Sequence, residues 1–336
     1  MSGGEGLPLR DADDGRVSVA GIENEIRRLW REAGKEGDEA VTRACLFTLV
    51  ALVADEDEME RAERATRESA SRNPARVILA LAHPGDGPSE IHARVNAFCF
   101  VAGRNRRQVC HEEVRIEARG AAVESLPSAV RPLLVPDLPV VLLLPSDRLF
   151  SAGAARALVA TADRIVFDSA TCEPKTVRDL LASKTALSDL AFYRTLPWRR
   201  AVAALFDDRQ GPRPHDIEGV EVAGRAPEAA LLAAWIVEQS GAELATPDAV
   251  RVTPESGPSL VRVVRILAGT ATLKVESRDG EIVSSIEAPD SCRPWREPTS
   301  ELGEAELVEA ALARASADPI IGRSLERALR FHPSAR

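Results

Sequence analysis

The apolar positions of the chain switch between helical and strand spacing, and that switching predicts its elements. Ile22, Ile26, Leu29, Trp30 and Ala33 recur on one face, with Glu23, Arg27, Arg28 and Arg31 on the other. This spacing predicts an amphipathic helix, ended by Gly34 and Gly37. Residues 45–53 form a mainly apolar run of strand length, which suits a strand covered on both faces. Asp55 or Asp57 can cap the helix that follows, whose buried stripe is Met59, Ala62, Ala65 and Ser69. Asn73-Pro74 breaks that helix and residues 76–81 read as the next strand, which makes a βαβ unit. Residues 91–101 and 109–118 predict two strands about the polar turn Gly103-Arg104-Asn105-Arg106-Arg107. Helical and strand patterns then alternate: helix 121–134, strand 139–145, helix 154–160, strand 164–168, helices 173–183 and 197–206.

A polar, Pro-rich break at 207–214 suggests a domain boundary. Beyond it the pattern predicts a strand at 217–222 and a helix at 227–239. An antiparallel set follows at 250–252, 260–267, 270–276 and 281–286, with Asp279-Gly280 as a hairpin turn, then helices at 304–315 and 319–329. The expected fold is α/β: a three-layer, mixed-sheet N-terminal domain over 17–208 and a smaller α+β domain over 215–330. Residues 1–16 are expected to be a disordered N-terminus.

Composition narrows the functional classes. A chain of 336 residues exceeds one usual core, in line with two domains. Residues are 45% hydrophobic but only 4% aromatic, so the cores rest on Ala, Val, Leu and Ile. A net charge of −9 opposes a general nucleic-acid binder, which needs a basic surface. The opening residues carry no apolar signal region, and the longest apolar run, near 138–144, is strand-sized, so no membrane partner is expected. Five scattered cysteines suit a reducing compartment, and the expected location is cytoplasmic.

Catalytic motifs are missing. No Gly-x-Gly-x-x-Gly follows a strand, and no P-loop, Gly-x-Ser-x-Gly elbow or His-Glu-x-x-His occurs. A nicotinamide or nucleotide enzyme is therefore disfavoured, and no cofactor and no metal are expected. Cys110-His111-Glu112-Glu113, with Cys99 and His92, has the residue types of a zinc site but reads better as an alternating strand edge. If the hairpin pairs symmetrically, Cys99 and Cys110 face each other, a candidate redox pair. His83, before Pro84-Gly85, falls at the carboxyl end of a strand, where open α/β sheets bind ligands. Asp163 to Ser169 ends another strand with an acid and a hydroxyl, a ligand-facing rim or an Asx-capped loop. Arg104, Arg106 and Arg107 could hold a phosphate or form a solvated turn.

Residues 187–200 stand apart, with the single tyrosine, one of four tryptophans and three arginines in an aromatic-poor chain. Tyr, Trp and Arg favour interface hot spots, whereas Pro197 followed by Trp198 also suits a helix entry packed on the core. Asp189-Leu190-Ala191-Phe192 through Arg194-Thr195-Leu196-Pro197-Trp198-Arg199 resembles the Asp-Leu-Ala-Trp-x-Arg-x-Thr-Pro-Trp-Arg signature of the glucose-6-phosphate dehydrogenase assembly proteins, the OpcA family. Further blocks agree in order: Leu29-Trp30-Arg31-Glu32, Asn73-Pro74-Ala75-Arg76-Val77-Ile78, Val109 to Val114, Leu133 to Val140 and Ala162 to Ser169. Phe192 stands in place of a tryptophan, and Leu196 extends the Thr-Pro step.

The resemblance implies a non-catalytic partner that binds glucose-6-phosphate dehydrogenase and promotes its assembly or active state, in some lineages under thiol control. On it, Tyr193, Arg194, Trp198 and Arg199 are expected to form the partner contact or to support its shape. The alternative is a sugar-phosphate-binding enzyme or sensor that uses the carboxyl-end loops of the first sheet.

Overall fold

The computed structural model describes residues 19–33, 42–43, 45–70, 74–102, 107–207, 211–242, 244, 249–257, 259–288, 291–298, 302–313 and 318–331. The expected disordered start, Asn73 and the arginines Arg104 and Arg106 lie outside these residues. The chain forms two compact units, each assembled from separate stretches of sequence. The first comprises residues 1–167, 183–186 and 304–316; the second comprises 168–182, 187–303 and 317–336. The Pro-rich segment 207–214 lies inside the second unit.

Eleven elements open the chain: α1 (Val19–Ala33), β1 (Thr42–Arg43), β2 (Phe47–Val53), α2 (Glu56–Ala70), β3 (Ala75–His83), β4 (Glu90–Ala102), β5 (Arg107–Arg119), α3 (Leu126–Val130), β6 (Val140–Leu144), α4 (Gly153–Val159) and β7 (Arg164–Phe167). The helix expected over 121–134 is broken into two 3-10 turns around the short α3. Pro127 and Pro132 explain the break, because each removes a donor from the helical ladder.

In the first unit the strand order is β1-β5-β3-β2-β6-β7, with β4 on the other edge of β5. β5, β3, β2, β6 and β7 run parallel and β4 runs antiparallel, so the sheet is mixed as expected. Every residue of β2 is buried, as its mainly apolar run predicts; Thr48 within it accepts the amide of Val135 at 3.1 Å. Met59, Ala62, Ala65 and Ser69 of α2 are all buried too. Numbered from β2, the order β5-β3-β2-β6-β7 is 3-2-1-4-5, that of a dinucleotide-binding sheet.

The remaining elements are α5 (Pro174–Ala182), β8 (Ala186–Asp189), α6 (Leu190–Arg194), α7 (Leu196–Leu205), β9 (Ile217–Gly224), α8 (Ala226–Ser240), β10 (Val250–Pro254), β11 (Val261–Ala268), β12 (Ala271–Arg278), β13 (Glu281–Ala288), β14 (Ser291–Pro298), α9 (Glu304–Leu312) and α10 (Pro319–Phe331). The second unit's sheet is ordered β10-β9-β11-β12-β13-β14. Its expected antiparallel character is corrected at one position, since β10 pairs with β9 in parallel. The long helix α8 carries the chain across between them, and a parallel pair needs such a crossover. Asp279 (φ 51°) and Gly280 (φ 79°) turn β12 into β13, and two positive φ values are what a two-residue type I′ hairpin demands. Strand β14 was hidden in the sequence by Pro294 and Pro298; an edge strand tolerates them. Val220, Val222, Val264, Ile266, Leu273 and Val275 of the sheet meet Leu232, Ala233 and Ile236 of α8 in one core.

Candidate functional site

The family-like segment 189–199 lies in the second unit and is built as an interior hub. Asp189 caps α6, where its side chain accepts the amide of Ala191 at 3.1 Å. It also accepts the amide of Ser169 at 2.9 Å and the Ser169 hydroxyl at 2.8 Å. One turn on, Arg194 grips Asp168 with both terminal nitrogens, at 2.9 and 2.6 Å, and donates Nε to Glu228 Oε1 at 3.1 Å. A planar guanidinium suits such a fork, which lysine cannot reproduce. Glu228 is 1% exposed and its Oε2 takes no hydrogen bond, so the carboxylate depends on Arg194 for compensation.

The rest of the segment is packing. Thr195 is fully buried and donates its hydroxyl to the Phe192 carbonyl at 2.7 Å. The Arg199 guanidinium lies 3.9 Å from the Phe192 ring centroid and donates to the hydroxyl of Thr195 at 3.2 Å. Tyr193 is buried with its ring edge-on to Phe192, and Trp198, 3% exposed, sits in the core with Val202, Leu205 and Ala229. Both side chains thus lie in the interior of the unit. Sequence could not decide this, because a Tyr-Arg-Trp-Arg cluster suits a hot spot and a helix entry equally. A hollow of about 140 Å³ opens in the same unit, lined by Ser169, Cys172, Val177, Leu231, Leu325 and Ala328 among others. That lining offers no cation to a phosphate.

Burial pushes the Asp189 carboxyl up from its ordinary 3.8 to about 7, against the opposing pull of the Ser169 and Ala191 hydrogen bonds. A carboxyl whose folded value is raised contributes its full stability below the unfolded value and loses it as pH rises through the folded one. Asp189→Asn keeps the shape and removes the charge. Its melting temperature should gain on wild type between pH 3.8 and about 7 and hold a constant lead above that. A difference independent of pH across this window would mean that Asp189 is ionised throughout.

The other residues picked from sequence are placed as follows. Cys99 and Cys110 are direct cross-strand partners in the β4–β5 register, with Phe98 opposite His111. The side chains of Cys99, Cys110 and His111 lie outside the described residues, as does that of Arg107. Among the described residues no three His, Cys, Asp or Glu side chains group as a metal ion would need. His83 ends β3 and stands 3.9 Å from Glu117. Asp163 accepts the amide of Val140, and Asp168 accepts that of Ala170 at 3.0 Å, the Asx-type turn, besides pairing with Arg194. Glu228 was missed; its signal was an acid set just before the apolar run 229–237 of α8.

In the first unit, the place where a dinucleotide fold receives pyrophosphate is already filled. That place is the turn from the first strand into the N-terminus of the next helix, normally rich in glycine. Here the turn reads Ala54-Asp55-Glu56-Asp57-Glu58. Asp55 accepts the amide of Glu58 at 2.8 Å, and Glu58, which is buried, accepts the amide of Ala54 at 2.8 Å and the Ser146 hydroxyl at 2.7 Å. Arg148 pairs with Asp55. Two amides of this turn, those of Ala54 and Glu58, are thus engaged by carboxylates, whose charge repels an anion.

The first unit thus has a dinucleotide-type strand order and an acid-filled phosphate turn, and the second has a buried Asp-Arg-Glu hub. The family model described as glucose-6-phosphate dehydrogenase subunit N-terminal domain matches residues 66–184, and the corresponding C-terminal domain matches residues 185–325. The chain belongs to this family. Curated relatives carry the name OxPP cycle protein OpcA. That of Synechococcus elongatus is 28% identical over 144 residues, covering 41% of this chain and 32% of the relative. That of Nostoc punctiforme is 24% identical over 186 residues, covering 52% of this chain and 40% of the relative. The chain therefore matches well under half the length of these relatives. Among solved structures, the 3-ketoreductase KijD10 of Actinomadura kijaniata, solved with NADP and TDP-benzene, superposes with a TM-score of 0.50 at 13% identity. The match covers 86% of this chain and 97% of that one, and at this identity it speaks to fold alone.

Proposed function

We propose that this protein binds glucose-6-phosphate dehydrogenase in the cytoplasm and favours the enzyme's assembled, active form, without catalysing a reaction itself. The observation that carries the reading is the match of both family models over residues 66–325. The acid-filled turn at Asp55 and Glu58 supports it, because a chain with a dinucleotide-type sheet has lost the feature such enzymes use to hold a cofactor. Activation of this kind requires the protein to prefer one state of the enzyme; equal affinity for both states would shift nothing. In this reading the hub of Asp168, Asp189, Arg194 and Glu228, with Tyr193, Trp198 and Arg199, holds the shape of the surface that the partner meets. The Cys99–Cys110 pairing makes a thiol-dependent response a further part of the proposal, absent in the serine variants.

The competing reading is a sugar-phosphate-binding enzyme or sensor using the carboxyl-end loops of the first sheet. One experiment with two arms separates them. Mixed with purified glucose-6-phosphate dehydrogenase from the same source, the protein should co-sediment with the enzyme. NADP or sugar phosphates added to the protein alone should leave its melting temperature unchanged, since only a ligand of the folded state raises it. No co-sedimentation together with a ligand-dependent rise would replace the proposal with the enzyme reading.

A further inference from the structure

Among the described residues, β4 is paired on one side only, so its other edge runs thirteen residues without a neighbouring strand. Open edges invite pairing, and proteins defend them with proline or by keeping them short. The second unit's edges are so defended: β14 holds Pro294, and β10 is five residues long and ends in Pro254. β4 contains neither proline nor glycine. Its first residues, Glu90 to Arg94, are exposed or partly so, and Ile91 is one of the few large apolar side chains open to solvent.

The charges along this edge are unbalanced in a particular way. Arg94 lies directly across from Arg115 in the β4–β5 register, and Arg115 is held by both oxygens of Glu56 at 2.7 Å. No described carboxylate pairs with Arg94. Four residues away on the same face of the strand, Glu90 has, among the described residues, only the His92 ring, at 3.4 Å. Arg119, across from Glu90, is committed to Glu117 at 2.5 Å. A strand that approached antiparallel about a two-fold axis at His92 would set each Glu90 opposite an Arg94, twice over. The same register sets Ile91 against Ala93. Directly opposed unlike charges stabilise a strand pair, while like charges oppose it.

We propose that the open edge of β4 is a self-association surface, on which a second copy of this chain adds its own β4 antiparallel, with Glu90 paired to the partner's Arg94. The charge test uses the full chain and reads its mass by sedimentation equilibrium. Wild type should sediment at twice the chain mass at micromolar concentration. Glu90→Arg alone and Arg94→Glu alone should each fall to the single-chain mass, with melting temperature and circular dichroism unchanged, because both side chains are exposed. The double reversal E90R/R94E should restore the doubled mass. A single-chain mass for wild type would overturn the proposal and leave the edge for a different partner strand. A dimer indifferent to the single reversals, or one not restored by the double, would overturn it as well.

Discussion

Replacing Arg194 with methionine should destabilise the second unit by about 3–5 kcal/mol, the loss seen when one member of a buried ion pair is removed. The size follows from what remains. Asp168 and Glu228 would keep their charges with side chains 14% and 1% exposed, and no other described cation bonds to either. Burial of the guanidinium opposes its own charge, yet the Asp168 and Glu228 contacts outweigh that, so Arg194 stays charged at every accessible pH. Arg194→Lys should recover only part of the loss, since an ammonium cannot hold both oxygens of Asp168 while reaching Glu228. Adding Glu228→Gln to the methionine variant should recover part as well, because an amide tolerates burial better than a lone carboxylate. Urea denaturation of the four proteins gives the comparison. An R194M variant within about 1 kcal/mol of wild type would place the hub in the class of weak, solvent-screened pairs.

Trp198→Ala should cost about 3–5 kcal/mol, the range for deleting a large aromatic side chain from a packed core. Trp198 shares one buried core with Ala201, Val202 and Leu205 of its own helix and with the buried face of α8. Arg199→Ala should cost much less. It removes a stacking contact on Phe192 and two long hydrogen bonds, at 3.2 and 3.3 Å, from a side chain at the boundary of the core. Denaturation midpoints read both. If Trp198→Ala melts with wild type and yet fails to engage the dehydrogenase, the tryptophan is a contact residue after all.

Much of the fold was legible because the signals were local. The βαβ unit from β2 to β3 is written in an apolar run, an acidic cap and Asn73-Pro74; Asp279-Gly280 writes the hairpin that follows β12. What escaped reading was non-local. The parallel pairing of β10 with β9 depends on α8 crossing the sheet, which spacing alone does not reveal. The 3-2-1-4-5 order rests on which strands neighbour β2, and no residue of β2 encodes that. At the hub, segment 189–199 was marked by composition, but its partners Asp168 and Glu228 lie 26 and 34 residues from Arg194. A side-chain ion pair at that separation leaves no periodic trace, so burial and exposure of Tyr193 and Trp198 could not be told apart from sequence.

The proposed preference of this protein for the active dehydrogenase is read most directly by the enzyme's own rate. Purified glucose-6-phosphate dehydrogenase should be assayed at fixed substrate while this protein is titrated from none to excess. The expected result is a saturating rise in rate, with this protein alone producing no turnover. A flat titration in which the two proteins neither associate nor alter the rate, or turnover by this protein by itself, would contradict the account.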